Sequence, residues 1–265
     1  CQTVISVDDP LTTFRVFASY FEEHYVFFDL FDIDWAARVE AFRPRITADM
    51  SDQDLFDTLS EMLDGVRDSH VEIIAEIGGK RVKYDAGDAN SLSRMQDFIE
   101  RNASIQGVEG GAMVGAFFDG YLSGNISEKI LGGKDQRSGS GYMRYGMAQD
   151  GVGYVAFMNV SSYVTDNEDT PQELDAAIAY EMDKAIDWFK VNGATSVIID
   201  LSINFGGYDF VSRIIADNFA SAVTPTYTKQ ALDTENRIAP TQLATKPVQN
   251  HFDGNVYLLT SNATV

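Results

Sequence analysis

Val197, Ile198 and Ile199 follow one another within 196–201, so an extended segment here is apolar on both faces. Such a strand needs cover on each side, which is the position of a central parallel strand. The segments around it alternate in kind. Residues 152–158 are rich in aromatic and β-branched residues and read as a strand. Thr170, Pro171 and Glu173 then supply an N-cap, a first-turn proline and a capping-box glutamate. Leu174, Ile178, Met182, Ala185 and Phe189 follow at helical spacing as far as Gly193. A helix over about 209–219 and a strand over 256–260 complete the series. Strand, helix, strand, helix, strand predicts right-handed crossovers in an α/β core over 151–265.

The first part of the chain has a different period. Leu11, Phe14, Phe17, Phe21, Tyr25 and Phe28 recur every three or four residues and predict one amphipathic helix over 11–28. Asp34 caps a second helix carrying Trp35, Val39 and Phe42, and Ser51 a third carrying Leu55, Leu59, Met62, Leu63 and Val66. Val71, Ile73 and Ile74 begin a short strand, which leaves Asp68, Ser69 and His70 at a helix-to-strand junction. Residues 1–75 thus read as a small N-terminal helical domain. Residues 76–150 hold one helix candidate at Met95, Phe98 and Ile99, glycines over 107–124 and a polar segment over 132–141. This stretch is expected to be a cap or linker with flexible loops.

Forty acidic residues against twenty basic ones give a formal charge of −20, which would repel nucleic acid and anionic lipid alike. With 45% hydrophobic content the 265 residues can bury a sizeable core. The only cysteine is Cys1, so no intrachain disulfide forms, and three histidines far apart in sequence make a zinc site improbable. No dinucleotide fingerprint or phosphate loop is present, and no cofactor or metal is expected. A cysteine in first position matches the residue left when a bacterial lipoprotein signal is removed, its thiol carrying the lipid; it equally matches a boundary falling there by accident. No apolar run reaches the roughly 18 residues of a membrane helix, so attachment to a membrane would be through Cys1.

Two places can carry chemistry. Asn204-Phe205-Gly206-Gly207 ends the buried strand and opens a helix. Its glycines permit a tight turn with amide N–H groups pointing outward, which suits an anion or the oxyanion of acyl transfer; a plain tight turn is the alternative. Ser69-His70 is the second place. An imidazole can take a proton from a hydroxyl nucleophile at neutral pH and return it to a leaving amine, whereas a histidine at this position could also simply cap a helix C-terminus. His24, on a helix beside aromatic residues, and His251, in an irregular polar segment, read as structural.

Four elements resemble, in order, those of the tail-specific (C-terminal-processing) serine peptidases. The run from Leu63 to Val71, with Asp68-Ser69-His70-Val71, is similar to the element that ends that family's helical domain. Gly153-Tyr154-Val155 resembles its Gly-Tyr-Ile strand, and the run from Val197 to Gly207 its Ile-Asp-Leu-Arg-x-Asn-x-Gly-Gly turn. The run from Val256 to Val265 resembles the strand and loop that lead into the nucleophilic serine. The resemblance to the tricorn-like branch implies a crotonase-like (Clp-protease-like) α/β core. It makes His70 the general base and Ser69 its partner, with Gly206 or Gly207 donating to the oxyanion. The nucleophile is expected after Val265 and a glutamate further on, so these 265 residues would be catalytically incomplete. It also implies a serine endopeptidase or carboxy-terminal-processing peptidase acting on peptides or unfolded protein tails. Such a protein would be exported across a bacterial inner membrane, as a periplasmic or outer-membrane lipoprotein.

The chain departs from the pattern at Ser202, where the family has arginine, and residues 76–150 show no peptide-docking PDZ pattern. That speaks against the Ser-Lys mechanism of the other branch. Ser261 does not align with the nucleophile. Two further classes fit the same fold: a non-catalytic peptide- or ligand-binding module, and a crotonase-type acyl hydrolase that needs the amide-lined turn but not Ser69 and His70.

Overall fold

The computed structural model describes residues 9–68, 70–87, 116–161, 170–231, 239–261 and 263–264. They belong to two units, one running to Ala89 and including Gln230–Pro240, the other made of Asn90–Lys229 and Thr241–Val265.

In the first unit α1 (Pro10–His24) begins where Asp9 turns extended and its carboxylate accepts from the amides of Leu11 and Thr12, filling two of the orphan donors of a helix start. The apolar spacing predicts a helix to Phe28, yet α1 ends at His24, Tyr25 is extended and Asp32 takes a φ of +54°. The chain turns back while Phe28 stays against Phe21 and Trp35, with ring centroids 5.6 and 5.4 Å apart. Packing on a shared aromatic cluster therefore maintains the spacing after the helix has stopped. The α2 helix (Trp35–Phe42) is capped by Asp34, which accepts from Ala37 N–H at 2.9 Å. Its first residue, Trp35, is buried and donates Nε1–H to the Ala18 carbonyl at 3.0 Å. A 3-10 turn (Arg43–Arg45) leads to α3 (Asp52–Met62), capped by Ser51. Leu63 and Val66 lie past its end and are fully buried. β1 (Glu72–Ile77) and β2 (Lys80–Asp85) pair antiparallel around Gly78 and Gly79, both at positive φ as a tight hairpin of this twist requires.

The second unit is mixed α/β, built on a five-stranded sheet in the order β3 (Gln136–Arg137), β4 (Met143–Gln149), β5 (Val152–Phe157), β6 (Ser196–Asp200), β9 (Asn255–Leu259). β3, β4 and β5 are antiparallel, whereas β5, β6 and β9 run parallel. Parallel neighbours need crossovers, and two helices supply them: α4 (Pro171–Val191) between β5 and β6, and α5 (Asp209–Asp217) between β6 and β9. Thr170 and Glu173 form the capping box of α4, and Leu174, Ile178, Met182, Ala185 and Phe189 are its buried face. Ile178, Met182, Ala185 and Phe189 pack with Val155, Phe157, Val197, Ile199, Val211 and Ile215 on one side of the sheet. Tyr154, Ala156 and Ile198 point the other way, as the period of two demands, and meet Phe118, Leu122 and Ile126. Leu122 and Ile126 come from a π-helical segment (Tyr121–Ile130), so β5 and β6 are covered on both faces. β7 (Pro225–Lys229) and β8 (Thr241–Ala244) form a separate antiparallel pair. The residues of β9 are all exposed. No helix among the described residues is long and apolar enough to cross a membrane.

The stretch 76–150 thus contributes β2 to the first unit, and the π-helical segment, β3 and β4 to the second. Met95, Phe98 and Ile99 lie outside the described residues.

Candidate functional site

The residues singled out as candidates for chemistry fall into two sets, one in each unit. In the first unit the loop after α3 is pinned by the buried Leu63 and Val66, while Arg38 donates to the carbonyls of Met62 and Asp64 at 2.9 and 2.8 Å, satisfying carbonyls at the helix end. Asp68 follows. Its Oδ1 accepts from the His70 backbone N–H at 3.0 Å and lies 3.0 Å from His70 Nδ1; its Oδ2 accepts from the Tyr25 hydroxyl at 3.3 Å. The Asp68 side chain is 12% exposed and that of His70 81%. Burial, and after it the adjacent Asp68 charge, push the Tyr25 phenol well above its ordinary range, so the phenol is a donor at any working pH. Ser69 lies outside the described residues.

In the second unit β6 ends at Asp200, whose buried carboxylate accepts from the Tyr154 hydroxyl on Oδ2 and from the Ser202 N–H, at 2.7 Å, on Oδ1. Burial and then this bond raise the Tyr154 phenol. Asn204, 3% exposed, donates Nδ2–H to the Phe157 carbonyl and accepts the Gly206 N–H on Oδ1, both at 2.8 Å. Phe205 N–H donates to Met158 O at 2.8 Å, Val160 N–H to Gly206 O at 2.8 Å and Tyr208 N–H to Val160 O at 2.9 Å. Gly206 and Gly207 have φ of 75° and 144°, which glycine alone adopts without strain. The Gly206 amide is therefore committed inside the bend, while the Gly207 N–H is used by none of these bonds.

The loop after β9 is stitched onto the same bend. Ser261 Oγ donates to Ser202 O at 2.5 Å and accepts from Ala263 N–H at 2.9 Å. Thr264 Oγ1 donates to Leu201 O at 2.6 Å, Asn204 N–H donates to Ala263 O at 3.2 Å, and Asn204 and Thr264 form a parallel bridge. With its hydroxyl bonded on both sides, Ser261 is a structural residue. Ser202, where the resemblance has arginine, is held through its backbone, and the bend rests on Asp200, Asn204 and main-chain bonds. The missing guanidinium therefore removes no support that this geometry relies on.

Of the residues singled out in the sequence, His70 lies in the first unit and Gly206 and Gly207 in the second. Cys1 and Val265, like Ser69, lie outside the described residues. His24 bonds the Tyr20 carbonyl and stacks on its ring, and His251 bonds the Val248 carbonyl and pairs with Asp253. Sequence reasoning missed the parts played by Asp68, Asn204 and Val160. An acid two residues before a histidine, able to accept the histidine's own backbone N–H, was the available signal for the first. Among the described residues no group of His, Cys, Asp and Glu could hold a metal ion.

Residues 8–64 match the profile of the tricorn protease C1 domain, and residues 151–265 that of peptidase family S41. Among solved structures, a protein from Parabacteroides merdae whose peptidase activity is itself inferred aligns with 96% of this chain and 68% of its own, at 20% identity and a TM-score of 0.64; at that identity the likeness concerns the fold. A lipoprotein from Streptococcus agalactiae aligns with 100% of this chain and 71% of its own, at 11% identity and a TM-score of 0.44. No curated protein matches the sequence.

Proposed function

The chain belongs to the tricorn-like branch of peptidase family S41, a family of serine peptidases, and from that premise we propose that it serves a peptidase cleaving peptides or unfolded protein tails through an acyl-enzyme, on a crotonase-like (Clp-protease-like) core. One observation carries the reading: the loop after β9 is bonded along the bend at 201–204, with Thr264 bridged to Asn204, three residues before Gly207, whose N–H none of these bonds uses.

In this reading a serine beyond Val265 is the nucleophile. His70 takes the proton from its hydroxyl as the oxygen attacks the scissile carbonyl, and returns that proton to the amine as the C–N bond breaks; water then repeats the sequence on the ester. The oxyanion of each tetrahedral intermediate is received by Gly207 N–H. Gly206, the other candidate, already donates to Asn204 Oδ1 at 2.8 Å and supports the bend instead. Ser69 completes the set as the partner of His70. Exported protein would carry a lipid on Cys1 as its membrane tether. The formal charge of −20 leaves an unstructured neutral or basic peptide as the favoured substrate over nucleic acid or a lipid surface.

The test is a serine-directed phosphonate on the full-length protein, read by intact mass. One adduct is expected on the serine, together with cleavage of an unstructured peptide, and both should vanish in His70→Ala. An unchanged mass would count against hydrolysis and favour a binding module, whereas activity surviving in His70→Ala would point to crotonase-type acyl chemistry. The same spectrum reads Cys1, as a mass excess on the amino-terminal peptide of protein taken from its native membrane fraction.

A further inference from the structure

We propose that Asp68 is the positioning residue of the His70 imidazole, holding Nδ1–H so that the basic lone pair lies on the exposed Nε2. The inference rests on the peptidase reading and adds to it a group that the Ser69-His70 pairing does not include.

An aspartate that accepts the backbone N–H two residues on is common in turns and by itself says nothing about chemistry. Here the same oxygen, Oδ1, also meets the ring nitrogen at 3.0 Å, and Oδ2 is held by the Tyr25 hydroxyl. The carboxylate is thus fixed from two sides, by its own loop and by a residue 43 positions earlier in the chain. Val71 N–H closes the turn on Asp68 O at 3.1 Å. An ionised carboxylate only accepts, so the neutral ring facing it must carry its hydrogen on Nδ1. One edge of the imidazole is tied while the side chain as a whole stays 81% exposed, which leaves Nε2 open to a hydroxyl brought to it. When that hydroxyl gives up its proton, the imidazolium is stabilised by the carboxylate already bonded to Nδ1.

The test has two readouts. In the chain labelled with 15N-histidine, at a pH where the ring is neutral, two-bond nitrogen–proton correlations give the tautomer of His70, assigned by its disappearance in His70→Ala. Wild type should show Nδ1–H. Asp68→Asn presents an amide N–H to the ring and should move the hydrogen to Nε2, whereas Asp68→Glu and Tyr25→Phe should keep it on Nδ1. In the full-length enzyme Asp68→Asn should lower kcat on the order of 10³-fold with KM nearly unchanged, and Asp68→Glu should recover part of it. Wild type with Nε2–H, or Asp68→Asn with the wild-type tautomer and kcat, overturns the proposal. So does a kcat loss that follows only a fall in Tm while the tautomer stays put. If the tautomer moves as expected but no phosphonate adduct ever forms, the peptidase reading falls and the hold of Asp68 on the ring stands.

Discussion

Gly207 has no room for a side chain. A Cβ placed there would lie 2.5 Å from the Val160 carbonyl oxygen, at a φ of 144° that other residues rarely adopt. Val160 accepts from Tyr208 and donates to Gly206, so neither segment can retreat without breaking the bridge between Val160 and Gly207. Gly207→Ala should therefore cost roughly 1–3 kcal/mol of stability, visible as a lower urea midpoint; an unchanged midpoint would show that the bend yields. The Gly-Gly pair was legible in the sequence as a tight turn after a strand. Which of its amides is free was not, because that depends on Asn204 Oδ1 turning back onto Gly206. Asp68 is a similar case: its neighbour in sequence, His70, could be anticipated as a partner, but Tyr25 reaches it only through the folding of α1 onto α3.

Among the elements, α4 was readable almost to the residue. Its capping box has Thr170 Oγ1 accepting from Glu173 N–H at 3.2 Å and Glu173 Oε2 accepting from Thr170 N–H at 3.0 Å, bonds that depend only on local sequence. Thr170→Ala should lower stability by about 1 kcal/mol, measured by chemical denaturation, and leave the fold unchanged by circular dichroism; no loss would mean that the packing of α4 alone holds its first turn. The π-helical segment and β4 were not legible. Gly120 precedes the former and Gly124 interrupts it, both of poor helix propensity, and it is the apolar face of β5 that gives Phe118, Leu122 and Ile126 a reason to line up. β4 hides its strand character by burying Arg144, whose charge is met by Asp135 at 3.2 Å.

For the whole molecule, charge sets the response to acid. As pH falls from 7 toward the isoelectric point of about 4.3, the self-repulsion of the −20 charge relaxes. Below that, carboxylates held ionised by the fold take over. Burial tends to raise Asp135, but its bonds to Arg137 and Arg144 outweigh this and leave it below the usual carboxylate range. The Lys229 ammonium does the same for Asp209. A folded pKa below the unfolded value of about 3.9 contributes stability above that pH and loses it as pH falls through the folded value. Denaturant midpoints should therefore drop steeply below about pH 4, and Asp135→Asn should be less stable than wild type at pH 7 yet lose less on acidification; parallel curves for the two proteins would exclude this role. By itself the sequence determined the caps of α2, α3 and α4, the two buried strands, the order of α4, β6, α5 and β9, and the residue types at both candidate sites, because each depends on neighbours a few positions away. Only the tertiary structure decided where α1 stops, what covers the second face of the sheet, which glycine amide is left free and what holds the His70 ring. Those outcomes depend on groups tens of residues apart that meet only once the cores have formed.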